Sequence, residues 1–149
     1  MTRSYKIGLL TSLYLAQGLP YGFFTQALPV LLREAGLSLK MIAATSLLFL
    51  PWALKFLWAP FVDHLGTRRR WLLPLQCAGV LGALALAGVE VDGGVLVLFI
   101  AAFLFNLVAA TQDVATDGLA VRILTTRERG LANGIQVGAY RIGMILGGG

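Results

Sequence analysis

The sequence predicts an all-α fold, a polytopic bundle of transmembrane helices, and three observations predict it. Apolar runs close to the ~20 residues that cross a bilayer recur along the whole chain. Charged residues make up only 13% of the 149 positions, against roughly 25% in ordinary soluble domains. Lys and Arg gather in the short connections between the runs. Several such runs cannot hide in one small core, which argues against a water-soluble domain.

The runs read as five helices of a single membrane domain, at about residues 7–32, 41–61, 71–89, 95–120 and 131–149. Met1 to Lys6 ahead of the first run looks like the basic start of a signal peptide. The apolar stretch outlasts the ~7 to 15 residues of a signal core and lacks a small-residue cleavage site, so helix 1 is expected to stay attached. Trp58 and Trp71 near helix ends suit either interfacial anchoring or lipid-facing packing. The fifth run reaches Gly149 without a polar terminus, as expected of a truncated frame or a fragment.

Charge sets the expected orientation. Arg3, Lys6, Arg68, Arg69, Arg70, Arg122, Arg127 and Arg129 lie at the N-terminus and in the second and fourth connections, while the first and third hold Arg33 and Lys40 beside Glu34, Glu90 and Asp92. By the excess of Lys and Arg on the cytoplasmic side, the N-terminus is cytoplasmic. The net charge of +5 is no nucleic-acid signal, because no basic face interleaved with exposed aromatics accompanies it. Cys77, the single cysteine, supports neither a disulfide framework nor a metal or redox motif and reads as packing. No nucleophile with a base, metal-ligand cluster or phosphate-binding loop stands out, so neither an enzyme nor a cofactor is expected.

Function therefore falls to the few polar groups inside the spans, where ionisable residues are costly. Asp113 and Asp117 are four residues apart and share a helix face. Each reads either as a proton-coupling carboxylate or as a structural, ion-paired one. Arg141 lies about ten residues into helix 5, ~15 Å deep at 1.5 Å per residue, at a depth similar to Asp113. A pair between them would be a structural clamp or a latch. Lys55 sits nearer a helix end and reads as snorkelling to the interface, with a pairing to Asp113 or Asp117 left open. Tyr14, Gln17, Tyr21 and Thr25, at intervals of three and four, form a polar stripe on helix 1 beside Gly18, Pro20 and Gly22. The stripe either lines a solute cavity, the reading the proline and glycines favour, or bonds neighbouring helices. Gln112 adds a polar contact of either kind. Gly130, Gly134 and Gly138, then Gly143 and Gly147, follow the small-xxx-small spacing of close helix packing.

The stretch Lys55 to Leu73, KFLWAPFVDHLGTRRRWLL, resembles the signature between helices 2 and 3 of the major facilitator superfamily. Ala59, Asp63, Gly66 and Arg68 to Arg70 take the places of its small residue, acid, glycine and basic residues. Ala59 stands where the superfamily usually has Gly, and His64 where it has Arg or Lys. Asp63 can pair with basic residues at a helix end, and Gly66 permits a sharp reversal. With ATQDVATDG (Ala110 to Gly118), RERG (Arg127 to Gly130) and AYRIGM (Ala139 to Met144), the chain resembles the AmpG-type muropeptide permeases, and more distantly the acetyl-CoA transporters. The resemblance implies a partial N-terminal half of a major facilitator fold, lacking the C-terminal half that would close the pathway. It further implies a multi-pass carrier in the bacterial cytoplasmic (inner) membrane, taking up anhydro-muropeptides, a small-molecule solute, with protons. A carrier of another solute, such as acetyl-CoA, a sugar or a drug, and a non-transporting receptor or scaffold of the same fold remain the alternatives.

Overall fold

The computed structural model describes residues 2–89 and 94–149. Every regular element among them is helical. The third connection, with Glu90 and Asp92, lies outside the described residues.

Helix α1 (Arg3–Gly22) runs through a π-helical segment (Phe23–Ala27) into α2 (Leu28–Glu34). Next come α3 (Leu39–Ala44), a 3-10 segment (Thr45–Phe49), α4 (Leu50–Leu54), a second 3-10 segment (Lys55–Leu57) and α5 (Ala59–His64). Three regular helices follow: α6 (Arg68–Ala87), α7 (Val95–Ile123) and α8 (Arg129–Gly148). The first two expected spans are therefore irregular, and proline explains where. The π segment runs up to Pro29, the first 3-10 segment to Pro51 and the second to Pro60. Each of these prolines lacks an N–H and crowds the carbonyl four residues before it, which weakens the α-bonding of the preceding turn, although Pro20 and Pro74 are accommodated inside α1 and α6.

Among the described residues, three helical stretches are long and apolar enough to cross a membrane: Leu39–Leu57, Arg68–Ala87 and Val95–Ile123. Five spans were expected, and the first and fifth are helical but more polar and glycine-rich. Within α6 only Arg68 and Leu72 are buried, and Val80, Leu81 and Leu84 are exposed. Such uncovered apolar surface suits contact with lipid.

The chain divides into two compact units. Unit 1 comprises Met1–Leu28 and Thr116–Gly149. In it α1 lies backbone to backbone on α8. A Cβ on Gly18 would strike the Tyr140 carbonyl, and one on Gly143 the Leu15 carbonyl. Only hydrogen at these positions lets the two helices approach so closely. Leu10, Tyr14, Ala120 and Ala139 form the buried cluster of this unit, with Leu15, Ile123 and Leu124 packed against it. Gly130, Gly134 and Gly138 meet nothing within 4 Å, so the glycine spacing splits into a used and an unused part.

Unit 2 is Pro29–Ala115. Ser38 caps α3, its hydroxyl accepting from the Met41 N–H at 3.4 Å. The edge of Phe105 on α7 fills the space above Gly82 of α6. Leu48, Val62, Leu72, Leu98, Ala102 and Ala110 are buried.

Candidate functional site

In unit 2 the proline-broken helix turns a row of polar and aromatic groups onto α7. The Trp52 indole N–H donates to Asn106 Oδ1 at 3.1 Å, and Asn106 is itself tied to its helix by an amide bond to the Ala102 carbonyl at 3.0 Å. One turn on, the Lys55 ammonium donates to Asp113 Oδ2. Its Nζ also lies 5.6 Å from the centroid of the Trp52 ring, within cation–π range. The Trp58 indole N–H then donates to Thr111 Oγ1 at 3.2 Å. Both tryptophans are thus fixed through their N–H groups.

The ion pair is lopsided. The Asp113 side chain is 9% exposed and that of Lys55 34%. Lys55 lies nine residues before His64, ~14 Å from that helix end at 1.5 Å per residue. It does not snorkel: it turns to the carboxylate, the pairing left open above. Arg141, expected opposite Asp113, is exposed on α8 in unit 1. The site was only partly legible in the sequence. Lys55 is the only ionisable residue of its apolar run, which was the available signal, whereas Asn106 and Thr111 resembled ordinary interhelical polar residues.

The turn after α5 is built as its sequence suggests. Leu65 leaves the helix in an extended conformation, and Gly66 reverses the chain at φ +79°, a region other residues adopt at a steric cost. Arg68 is buried; its guanidinium donates to the Val62 carbonyl at 3.1 Å and to Asp63 Oδ1. The Trp71 indole N–H closes the turn on the Leu65 carbonyl at 2.7 Å. Arg69, Arg70 and His64 are exposed. The basic run thus divides into one structural arginine and two surface ones.

In unit 1 the polar stripe of α1 is drawn into helix packing. Tyr14 donates to Asp117 Oδ1 at 2.9 Å, and the Gln17 amide donates to Thr116 Oγ1 at 2.7 Å. Tyr14 and Gln17 are each 2% exposed. The Gln136 amide reaches Asp117 Oδ1 at 3.4 Å. The Tyr21 ring lies 5.6 Å from that of Tyr140, and the Thr25 hydroxyl donates back to the Tyr21 carbonyl at 2.7 Å. Gly18 serves the α1–α8 contact. Tyr14 and Gln17 thus bond across to α7, whereas the Thr25 bond stays within its own segment. Gln112 is buried on α7, its Oε1 3.9 Å from the position of a Cβ on Gly79.

Where α7 turns into α8, Glu128 Oε2 accepts from the Thr125 N–H at 2.9 Å, the Thr125 hydroxyl at 3.0 Å and Lys6 Nζ at 3.1 Å. The Thr125 backbone bond foremost, then Lys6 and the Thr125 hydroxyl, lower the carboxyl pKa from 4.5 to about 2.

Comparison with known proteins adds the following. A family model described as acetyl-coenzyme A transporter 1 matches residues 6–106. An uncharacterised protein of Haemophilus influenzae is 36% identical over 145 residues, covering 89% of this chain and 32% of the relative. The anhydromuropeptide permease of Escherichia coli K12 is 30% identical over 149 residues, covering 97% of this chain and 30% of the relative. The chain spans about a third of the length of these curated relatives. No solved structure matches it.

Proposed function

This chain belongs to the acetyl-coenzyme A transporter family, and from that premise we propose that it forms part of a proton-driven carrier that takes up anhydro-muropeptides. Its likeness to the anhydromuropeptide permease along nearly the whole chain supports the solute. The Lys55–Asp113 pair is the observation that carries the mechanism. Charges inside a span are retained against their cost when they serve transport. A carboxylate whose cation partner can be exchanged as the helices move is suited to carry a proton between two states of a carrier. Asp113 is the proton-coupling residue in this reading, with Lys55 as its counter-charge. Asp117 and Arg141 are further charges of the pathway, and Tyr14, Gln17, Gly18, Tyr21, Thr25 and Gln112 are the candidates for lining the solute cavity, with Tyr14 and Gln17 also bonded to α7 in this state. The turn of Asp63, His64, Gly66, Arg68, Arg69 and Arg70 gates that movement. The carrier sits in the bacterial cytoplasmic membrane with the N-terminus inside.

A second reading, in which acetyl-CoA is the solute, is favoured by the description of the matching family. Uptake by the complete transporter in cells lacking their own muropeptide permease separates the two. Labelled anhydro-muropeptide should accumulate and resist competition by acetyl-CoA. Uptake of acetyl-CoA alone would replace the first reading with the second, and uptake of neither would remove both.

A further inference from the structure

We infer that Lys55 is the recognition point for an anionic group of the solute, which binds by taking the ammonium from Asp113. The inference rests on the transporter reading and extends it to the chemical class of the cargo.

Three features of the site lead there. First, the two partners differ in access: the Lys55 side chain is 34% exposed and Asp113 only 9%. A newcomer reaches the cation before it reaches the carboxylate. An ammonium carries three N–H donors, and Asp113 Oδ2 takes one of them. The others remain for a carboxylate or phosphate oxygen.

Second, a half-buried lysine ~14 Å from the helix end cannot turn its charge to hydrocarbon without a cost of several kcal/mol. Its open side therefore faces water or protein, as a solute pathway requires. Leu54, Phe56 and Leu57 around it are exposed apolar residues that suit the lipid instead.

Third, the surroundings fix the place of the cation but leave its reach free. Trp52 is held by Asn106 and presents its ring to the ammonium, and Trp58 is held by Thr111. Lys55 itself opens the 3-10 segment ahead of Pro60, where the backbone lacks regular α-bonding. A segment of this kind can shift at low cost, carrying the ammonium between Asp113 and a bound anion. Anion binding then removes the counter-charge of Asp113, which links solute binding to proton binding by reciprocal coupling.

The test is binding to the purified complete transporter, read by quenching of tryptophan fluorescence. The probes are anhydro-muropeptide, the same compound with its carboxyls amidated, and acetyl-CoA. Wild type should bind a charged probe about tenfold or more tightly than the amidated one, as expected for a charge-assisted hydrogen bond. Lys55→Gln should erase that preference and Lys55→Arg should keep it. The exchange Lys55→Asp with Asp113→Lys restores the ion pair and should restore abundance, but not binding of the charged probe. Binding of acetyl-CoA alone, with the same dependence on Lys55, would uphold the inference while ending the muropeptide reading. Three results would overturn it: a charge preference that survives Lys55→Gln, recovery of anion binding in the exchanged pair, or a wild type that binds no charged probe better than the amidated one.

Discussion

Arg68 and Asp63 show how one residue of a basic run can differ from its neighbours. Arg68 is buried against the Val62 carbonyl and Asp63, whereas the Asp63 side chain is 48% exposed. Arg68→Ala should lower stability by about 1–2 kcal/mol, the worth of hydrogen bonds to a charged group discounted for the exposed partner. Reduced membrane abundance and a lower melting temperature would register it. Asp63→Asn keeps an acceptor oxygen, so abundance should hold while uptake falls severalfold; unchanged uptake per transporter would show that the turn does not gate. The sequence pattern made this turn legible because Gly66 and Asp63 are constrained by backbone geometry and charge. It did not distinguish Arg68 from Arg69 and Arg70, since burial depends on the direction in which α6 leaves the turn. Lys55 is the opposite case. Its residue type was visible, but whether a long side chain goes to the interface or to a carboxylate depends on the neighbouring helix.

At the scale of elements, proline and glycine govern most of the departures from regular helices. Irregular segments precede Pro29, Pro51 and Pro60 but not Pro20 or Pro74, so the prolines mark where a break is possible and packing decides which of them breaks the helix. The small-residue spacing on α8 was equally legible, but not which glycines α1 would cover. Gly143→Leu should strike the Leu15 carbonyl and destabilise unit 1 by about 1–3 kcal/mol or more. Gly134→Leu, with open space at that position, should leave folding of this unit unchanged. Protease resistance of the two variants checks the contrast. The Glu128 contacts joining α1 to the α7–α8 turn have a defined pH window. Because the folded-state pKa is lowered, their stabilisation is fully present above 4.5 and is lost as pH falls toward about 2. The protection factor of the Thr125 amide, its exchange rate corrected for the intrinsic pH dependence, should therefore be the same at pH 7 and pH 5.5 and fall only below 4.5. In Glu128→Gln protection should be lowered at every pH, and a transition near pH 6 would contradict the assignment.

On the scale of the whole molecule, composition and the spacing of apolar runs were enough for an all-helical membrane fold, and ordered motifs were enough for the family. Two spans fell short of the hydropathy expected of them because α1 and α8 carry polar residues and glycines that pack on other helices. From the distribution of Lys and Arg we propose a cytoplasmic N-terminus. Cysteines introduced at His64 and Arg127 should label only from the cytoplasm, and one at Leu37 only from outside; labelling of all three from one side would refute the helix count. The central claim is that the buried carboxylate on α7 couples proton movement to solute movement. The most direct measurement compares wild type with Asp113→Asn in the complete transporter, reconstituted in vesicles with an imposed proton gradient, at matched abundance. The account predicts that the variant loses accumulation of labelled anhydro-muropeptide against its gradient while downhill exchange continues. Gradient-driven accumulation that persists in Asp113→Asn would contradict it.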